Sequence, residues 1–204
     1  MQIAVRLIQK LQTALSDLRY GGILKGSIAS KYRHMGARGT ENTRYHLLAI
    51  LFKNQIRPSD VLVDIGCGKG RVLNWWLDYH RNHAIYGIEL DPSIAEQARQ
   101  RLRSFKNVTI LTGDACVLLP DEGSLLYLFN PFDGSVMQRL IEAVVRKPMA
   151  ANGLPRRIVY HNSVHLDLFE KDDRFSIRRI ALPESHDSAI IEWTVIGQQT
   201  AARV

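Results

Sequence analysis

The chain has 204 residues, 46% of them hydrophobic, which is enough for one domain with a full hydrophobic core. It contains no apolar run of about 18 residues and no secretory signal pattern, so we expect neither a membrane-spanning helix nor export. Its two cysteines lie in unrelated contexts, with no Cys/His cluster at ligand spacing. This favours a cytoplasmic chain with free thiols and no metal site.

The formal net charge of +7 comes entirely from the first 60 residues. They hold ten Lys or Arg and three Asp or Glu, and ten minus three gives +7, whereas residues 61–204 hold seventeen of each sign. Such asymmetry is typical of a segment that meets nucleic acid, an anionic surface or another acidic partner, although a solvated helix face gives the same pattern. We expect residues 1–58 to form a basic helical extension or cap and residues 59–204 to form the main domain.

Two helices are predicted in the N-terminal extension. Apolar residues recur there at spacings of three or four, namely at Ile3, Leu7, Leu11, Leu15 and Leu18. This spacing predicts an amphipathic helix over residues 2–19, which could contact a partner or an anionic surface. A loop or short helix is expected over residues 22–41, and a second helix over residues 42–54.

From residue 61 onward, strand and helix patterns alternate. Strands are predicted over residues 61–65, 84–89, 108–112, 124–129 and 157–161, with helices over 69–79, 91–104, 135–146 and 164–170. Two further strands, 174–182 and 189–196, have no helix between them and should form an antiparallel hairpin. The fold class is therefore α/β: a Rossmann-like, seven-stranded, mostly parallel sheet with a C-terminal antiparallel hairpin and helices on both faces.

The turn after the first strand carries the most informative motif. Three glycines, Gly66, Gly68 and Gly70, follow Asp64 at every second position. A dinucleotide fold requires the different spacing G-x-G-x-x-G. A carboxylate two residues before the glycines would repel a polyphosphate but attract a cationic amino-acid group. Cys67 occupies a variable position between the glycines, where a small filler residue is more common than a nucleophile.

Further polar motifs follow the next strands. Together with the glycine turn, the series VDIGCGKGR, YGIELD, TGDA and LYLFNPF resembles the class I S-adenosylmethionine-dependent methyltransferases over roughly residues 60–195. The resemblance implies S-adenosyl-L-methionine as the cofactor. It also implies nine cofactor-binding residues: Asp64, Gly66, Cys67, Gly68, Gly70, Glu89, Leu90, Asp114 and Ala115.

The resemblance gives several of these residues a role. Asp64 would bind the ammonium group of the cofactor, Glu89 the ribose hydroxyls, and Leu90 would pack on the adenine ring. Asp114 would accept a hydrogen bond from the adenine amino group, with the backbone N–H of Ala115 nearby. Two alternatives stay open: Asp64 could cap the glycine loop, and Asp114 could be an ordinary turn aspartate.

The segment Asn130-Pro131-Phe132 is the candidate catalytic motif. In amino-methylating members of the family, [N/D]-P-P-[Y/F] binds the target amine through a side-chain oxygen and a proline carbonyl, and the aromatic ring stacks on it. This chain is one proline short. Asn130 and the Pro131 carbonyl could still accept from an amine, and Phe132 could present its ring. A proline-stiffened turn with Asn130 as a helix cap is the alternative.

We therefore predict a methyltransferase that acts on a nitrogen of a protein lysine or of a small-molecule amine. One alternative is an RNA or other nucleic-acid methyltransferase that uses the basic N-terminal region, and another is a non-catalytic cofactor-binding partner protein. His161, after the fifth strand, could be a general base, although a structural histidine is more common. The resemblance also implies that the region of Tyr32, His34 and Tyr45 folds over cofactor and substrate.

Overall fold

The computed structural model describes residues 2–24, 26–27, 29–39, 41–182 and 186–194, and the side chains of residues 1–7 and 9 lie outside this description. The helices are α1 (Gln2–Arg19), α2 (Tyr45–Leu51), α3 (Arg71–Tyr79), α4 (Pro92–Leu102), α5 (Ala115–Leu118), α6 (Gly134–Arg146) and α7 (Asp167–Glu170), with a 3-10 turn at Arg33–Met35. The strands are β1 (Leu62–Ile65), β2 (Ile85–Glu89), β3 (Val108–Thr112), β4 (Leu125–Phe129), β5 (Arg157–His161), β6 (Phe175–Ile180) and β7 (Ser188–Trp193).

The seven strands form one sheet in the order β3-β2-β1-β4-β5-β7-β6. The first five strands are parallel, and β7 lies antiparallel between β5 and β6. The predicted fold class is confirmed. Strand β1 is central and buried along its whole length, because helices cover both faces of the sheet. The carboxyl ends of β1, β2, β3 and β4 consequently meet at one edge, where ligands of such sheets bind.

The predicted elements differ from the observed ones mainly at the N-terminal side. Helix α2 begins at Tyr45 instead of residue 42, since the preceding side chains bind elsewhere: Asn42 donates to the Leu24 carbonyl, and Thr43 shares a 2.7 Å hydrogen bond with the Tyr127 hydroxyl. The four-residue helix α5 was not predicted. The apolar side chains of Ile3 and Leu7, the hairpin residues 183–185 and the predicted strand end at 195–196 lie outside the described residues.

Buried ion pairs connect the first 60 residues to helix α3 and to strand β5. Asp17 of α1 is fully buried and binds the Arg71 guanidinium with contacts of 2.8 and 3.2 Å. It also accepts from the Tyr45 hydroxyl at 2.7 Å and from the backbone N–H of Leu24 at 3.0 Å. A second buried pair joins Asp60 to Arg157 of β5. The domain boundary at residues 58–59 stays a prediction, and the Asp17–Arg71 contacts cross it.

Candidate cofactor and acceptor site

A cavity of about 300 Å³ opens at the carboxyl edge of the sheet. Seven of the residues predicted for the site line it: Gly66, Glu89, Leu90, Asp114, Ala115, Pro131 and Phe132. Five others, Asp64, Cys67, Gly68, Gly70 and Asn130, do not line it. The N-terminal segment covers the cavity from the other side through a group of residues that we call the roof: Ser30, Tyr32, Met35, Ala37, Arg38, Gly39 and Glu41.

Glu89 connects the glycine loop to the cavity. Gly66 and Gly68 adopt left-handed backbone angles, with φ of 75° and 53°, which other residues rarely adopt. One carboxylate oxygen of Glu89 accepts from the N–H of Gly68 and the other from the N–H of Asp91, each at 2.9 Å. Burial raises the pKa of Glu89 against the effect of these hydrogen bonds. A carboxylate has about four acceptor positions, so Glu89 retains capacity for hydroxyl groups in the cavity.

Asp64 is a buried carboxyl with an unused acceptor. Its side chain is on the central strand and only 2% of the residue is exposed. Across the described residues, its Oδ2 atom finds no hydrogen-bond partner. Burial, and secondarily the negative charge of Glu89, raises the pKa of Asp64 well above its ordinary value. A nearby cation would donate the hydrogen bond that Oδ2 lacks, and its positive charge would stabilise the buried carboxylate. This orphaned oxygen fits the ammonium group of an amino-acid cofactor.

Cys67 and Gly70 shape the loop without lining the cavity. The Cys67 side chain is buried against β2, since a Cβ atom placed on Gly87 would lie 2.8 Å from its Sγ. Burial, with the charges of Asp64 and Glu89, raises the pKa of the Cys67 thiol well above its ordinary value, so the thiol stays protonated. Gly70 begins α3 with φ of 83° and contacts α4 at Arg101. Cys67 is therefore a packing residue and not a nucleophile.

Asp114 is already engaged on both oxygens. Its Oδ1 accepts from the N–H of Cys116 at 2.8 Å and caps α5, and its Oδ2 pairs with Arg139 at 2.6 Å. Burial alone would raise the pKa of Asp114, but the Cys116 N–H and the Arg139 guanidinium hold it below its ordinary value. Asp114 and Arg139 both line the cavity. The adenine role of Asp114 stays a prediction, and the turn-aspartate role is present in the structure.

The Asn130-Pro131-Phe132 segment forms the wall between the cavity and its neighbour. Asn130 has φ of 41° and is 6% exposed, and no described residue hydrogen-bonds to its Oδ1 atom. It borders a second, open cavity of about 540 Å³. The two cavities share five lining residues: Ala37, Arg38, Gly39, Glu41 and Phe129. Asp133, and not Asn130, caps α6. The second cavity is the candidate acceptor site.

Backbone pairing fastens the roof to this wall. The N–H of Arg38 donates to the Pro131 carbonyl at 2.9 Å, and the N–H of Asp133 donates to the Gly36 carbonyl at 2.8 Å. Ala37 and Phe132 thereby form an isolated antiparallel bridge. The Pro131 carbonyl, which was predicted to accept from an amine, thus already accepts one hydrogen bond.

Tyr45 and His161 lie outside both cavities. The Tyr45 hydroxyl binds Asp17, whereas Tyr32 belongs to the roof as the resemblance implied. His161 is 1% exposed, its Nδ1 lies 2.9 Å from the Ser188 hydroxyl, and its ring centroid lies 4.4 Å from that of Phe129. Burial, with the neighbouring His186, lowers the pKa of His161 to about 4. These contacts assign His161 a structural role.

A sheet of this order, with a glycine loop and an acid at the ends of its first two strands, is typical of class I S-adenosylmethionine-dependent methyltransferase domains. Residues 63–156 match the family model described as "Methyltransferase domain". This part of the chain therefore resembles the enzymes of this family, whose cofactor is S-adenosylmethionine.

Two curated relatives match parts of the chain. A probable cobalt-precorrin-6B C(15)-methyltransferase (decarboxylating) of Archaeoglobus fulgidus is 38% identical over 74 residues, which are 35% of this chain and 42% of the relative. A dimethyladenosine transferase of Saccharomyces cerevisiae is 30% identical over 108 residues, which are 47% of this chain and 33% of the relative. The matches thus span less than half of either relative.

Solved structures share the fold at low sequence identity. A precorrin-6y C5,15-methyltransferase from Geobacter metallireducens aligns with a TM-score of 0.58 at 18% identity, covering 82% of this chain and 94% of that one. An RNA methyltransferase from Salinibacter ruber, solved with S-adenosyl-L-homocysteine, aligns with a TM-score of 0.56 at 21% identity, covering 76% and 94%.

Proposed function

We propose that the protein transfers a methyl group from S-adenosylmethionine to a nitrogen of an amino group, on a small molecule or a protein lysine. The observation that carries this proposal is that Asn130 lines the acceptor cavity while its buried Oδ1 has no donor among the described residues. A buried, unpaired carbonyl costs on the order of 1–3 kcal/mol. An N–H group of the acceptor would remove that cost.

Two residues of the wall, Asn130 and Phe132, have different roles in positioning the acceptor. The cofactor supplies a methyl group on a sulfonium, which a neutral amine can attack without acid–base help. Asn130 holds the amine by one N–H, so that its lone pair is directed rather than free to rotate. Phe132, which packs on the hydrophobic core, closes the wall against water. Positioning of this kind accounts for much of the rate of a two-substrate reaction.

A nucleobase amine is the second candidate acceptor. The yeast relative is named a dimethyladenosine transferase, and the acceptor cavity carries two exposed arginines, Arg33 and Arg38, which could contact phosphates. The archaeal relative is named a C(15)-methyltransferase. A carbon acceptor would leave the Asn130 oxygen without a donor, so we favour nitrogen.

Methyl transfer from labelled cofactor into a cell lysate tests the acceptor class. After separation, we expect label in the protein or small-molecule fraction, bound to nitrogen. Label in nucleic acid alone would favour the second candidate, and label bound to carbon would contradict both.

A pair of variants tests Asn130 itself. Asn130→Gly keeps the left-handed backbone accessible and removes the oxygen, whereas Asn130→Asp keeps both. We expect kcat to fall by about 100-fold in the Gly variant, a loss typical of one positioned hydrogen-bonding group, and much less in the Asp variant. S-adenosylhomocysteine should bind both variants as it binds the parent. Equal turnover of the parent and the Gly variant would show that Asn130 does not position the acceptor.

A further inference from the structure

The apolar face of α1 points into solvent. Ile8, Leu11, Leu15 and Leu18 are spaced at three and four residues, so they form one stripe along the helix. Their exposed fractions are 56%, 62%, 57% and 53%, which are unusual for four large aliphatic side chains on one face. An amphipathic helix of a globular protein normally turns this stripe toward the core.

Among the described side chains, the end of α1 contacts the domain through residues on the opposite face, with hydrogen bonds and an ion pair in addition to apolar packing of Tyr20. Asp17 and Tyr20 are buried, and the Tyr20 hydroxyl donates to Asp78 at 2.8 Å. Asp17 binds Arg71 and Tyr45 as described above. These hydrogen bonds and the ion pair hold α1 on the domain by this face. The apolar stripe on the other face consequently points outward. The apolar stripe is therefore left for something outside the domain.

The charges around α1 indicate which kind of partner covers the apolar stripe, a second copy of this chain or an anionic surface. Of the three acids in residues 1–60, Asp17 and Asp60 are buried in ion pairs, and only Glu41 is exposed. On α1 itself, Lys10 is exposed, and the exposed Arg19 pairs with Asp78 at 2.7 Å. A second copy would bring one basic segment against another, which is unfavourable. An anionic surface is complementary.

We propose that α1 docks the protein on an anionic lipid surface. The helix is 18 residues long, about 27 Å, and would lie in the plane of the membrane with Ile8, Leu11, Leu15 and Leu18 at the acyl boundary. The exposed basic side chains would meet the lipid headgroups. No helix in the described residues is long and apolar enough to cross the bilayer, so the attachment is to the surface. This property is independent of the acceptor of the methyl group.

Vesicle flotation tests the proposal with the full chain. Vesicles of phosphatidylcholine alone are compared with vesicles that contain equal parts of phosphatidylcholine and phosphatidylglycerol. We expect the protein to float with the second kind and not the first. Leu11→Glu and Leu15→Glu should each weaken binding by about tenfold or more, since each removes one buried aliphatic side chain and adds a negative charge.

Met149→Glu is the matched control. Met149 is also half-exposed, at 50%, and lies outside α1 in the loop before β5. This variant should float like the parent, and all three variants should still bind S-adenosylhomocysteine, which shows that they are folded. Leucine variants that float like the parent would overturn the proposal, and so would equal binding to both kinds of vesicle. A doubled mass by light scattering that Leu15→Glu abolishes would instead assign the stripe to a dimer interface.

Discussion

Asp64 combines full burial with an acceptor that nothing in the described protein satisfies. Burial and the nearby Glu89 favour its protonated form when the protein is alone. A bound cation reverses this preference, because an opposite charge at close range favours the carboxylate. If the ammonium group of the cofactor binds Asp64, as the sequence predicts, cofactor binding and the ionisation of Asp64 are coupled.

We expect Asp64→Asn to weaken binding of S-adenosylhomocysteine by about 10- to 100-fold, which corresponds to the loss of one charge-assisted hydrogen bond. Isothermal titration calorimetry measures the change. Asp121→Asn is the control, because Asp121 is exposed and pairs with the exposed Lys147. If the two variants bind equally well, the ammonium group does not depend on Asp64.

At the level of single residues, the sequence predicts the acids at the strand ends but not their partners. Glu89 was visible because it ends an apolar strand, and the structure places it on the cavity. The double engagement of Asp114 was not visible. Its partner Arg139 lies on another helix 25 positions later, and α5 is too short to show a helical period. The pairing of Arg38 with the Pro131 carbonyl leaves no trace in side-chain pattern, since it is made by backbone atoms.

Among the elements, the roof depends on one glycine. Gly36 ends the 3-10 turn with φ of 79°, and its carbonyl binds the Asp133 N–H. A Cβ atom added here would lie 2.6 Å from Val136 Cγ2 and 2.7 Å from Asp133 Oδ2. Val136 belongs to α6 and Asp133 caps that helix, so a larger residue must displace either these side chains or the roof.

Gly36→Ala should therefore lower both stability and cofactor affinity. We expect a loss of about 2–3 kcal/mol in the free energy of unfolding, from backbone strain and overpacking together, measured by urea denaturation. Gly153→Ala separates the two causes. Gly153 has nearly the same φ, 80°, but a Cβ atom there meets nothing within 4 Å. The Gly153→Ala variant should lose only the part of the free energy of unfolding that comes from backbone strain, and it should keep its affinity for S-adenosylhomocysteine. Similar losses of unfolding free energy in both variants would rule out the steric role of Gly36.

The elements of the sheet were largely predictable, because buried parallel strands read as apolar runs and the intervening helices show a clear period. The strands over 108–112 and 157–161 were predicted at their observed bounds. The N-terminal segment was less predictable. The apolar spacing of α1 predicted its helix but not that the stripe would face outward, which depends on the distant partners of Asp17.

For the molecule as a whole, buried histidines make stability depend on pH. Burial lowers the pKa of His161 to about 4, against about 6.5 in the unfolded chain. The folded state then binds the proton more weakly than the unfolded state, so stability is full above pH 6.5 and falls as the pH drops toward 4. His46 and His80, whose pKa values burial also lowers, act in the same direction.

We expect His161 to contribute a loss of up to about 3 kcal/mol in the free energy of unfolding between pH 6.5 and pH 4. Urea denaturation at a series of pH values measures the slope. His161→Gln should make the profile shallower by nearly one proton, whatever its absolute stability. The exposed His34→Gln should leave the slope as it is. An unchanged slope in His161→Gln would mean that this histidine titrates normally in the folded protein.

The two buried ion pairs also constrain the order in which the chain can fold. Asp17 pairs with Arg71, which is synthesised 54 residues later. Asp60 pairs with Arg157, which is synthesised 97 residues later. Until those arginines have been synthesised, each carboxylate lacks its ion-pair partner. Contacts that distant make folding slow and cooperative, since a long loop must close before any stabilisation is gained. During synthesis, the segment of α1 therefore leaves the ribosome long before its position on the domain exists, and its aliphatic side chains are exposed throughout that time.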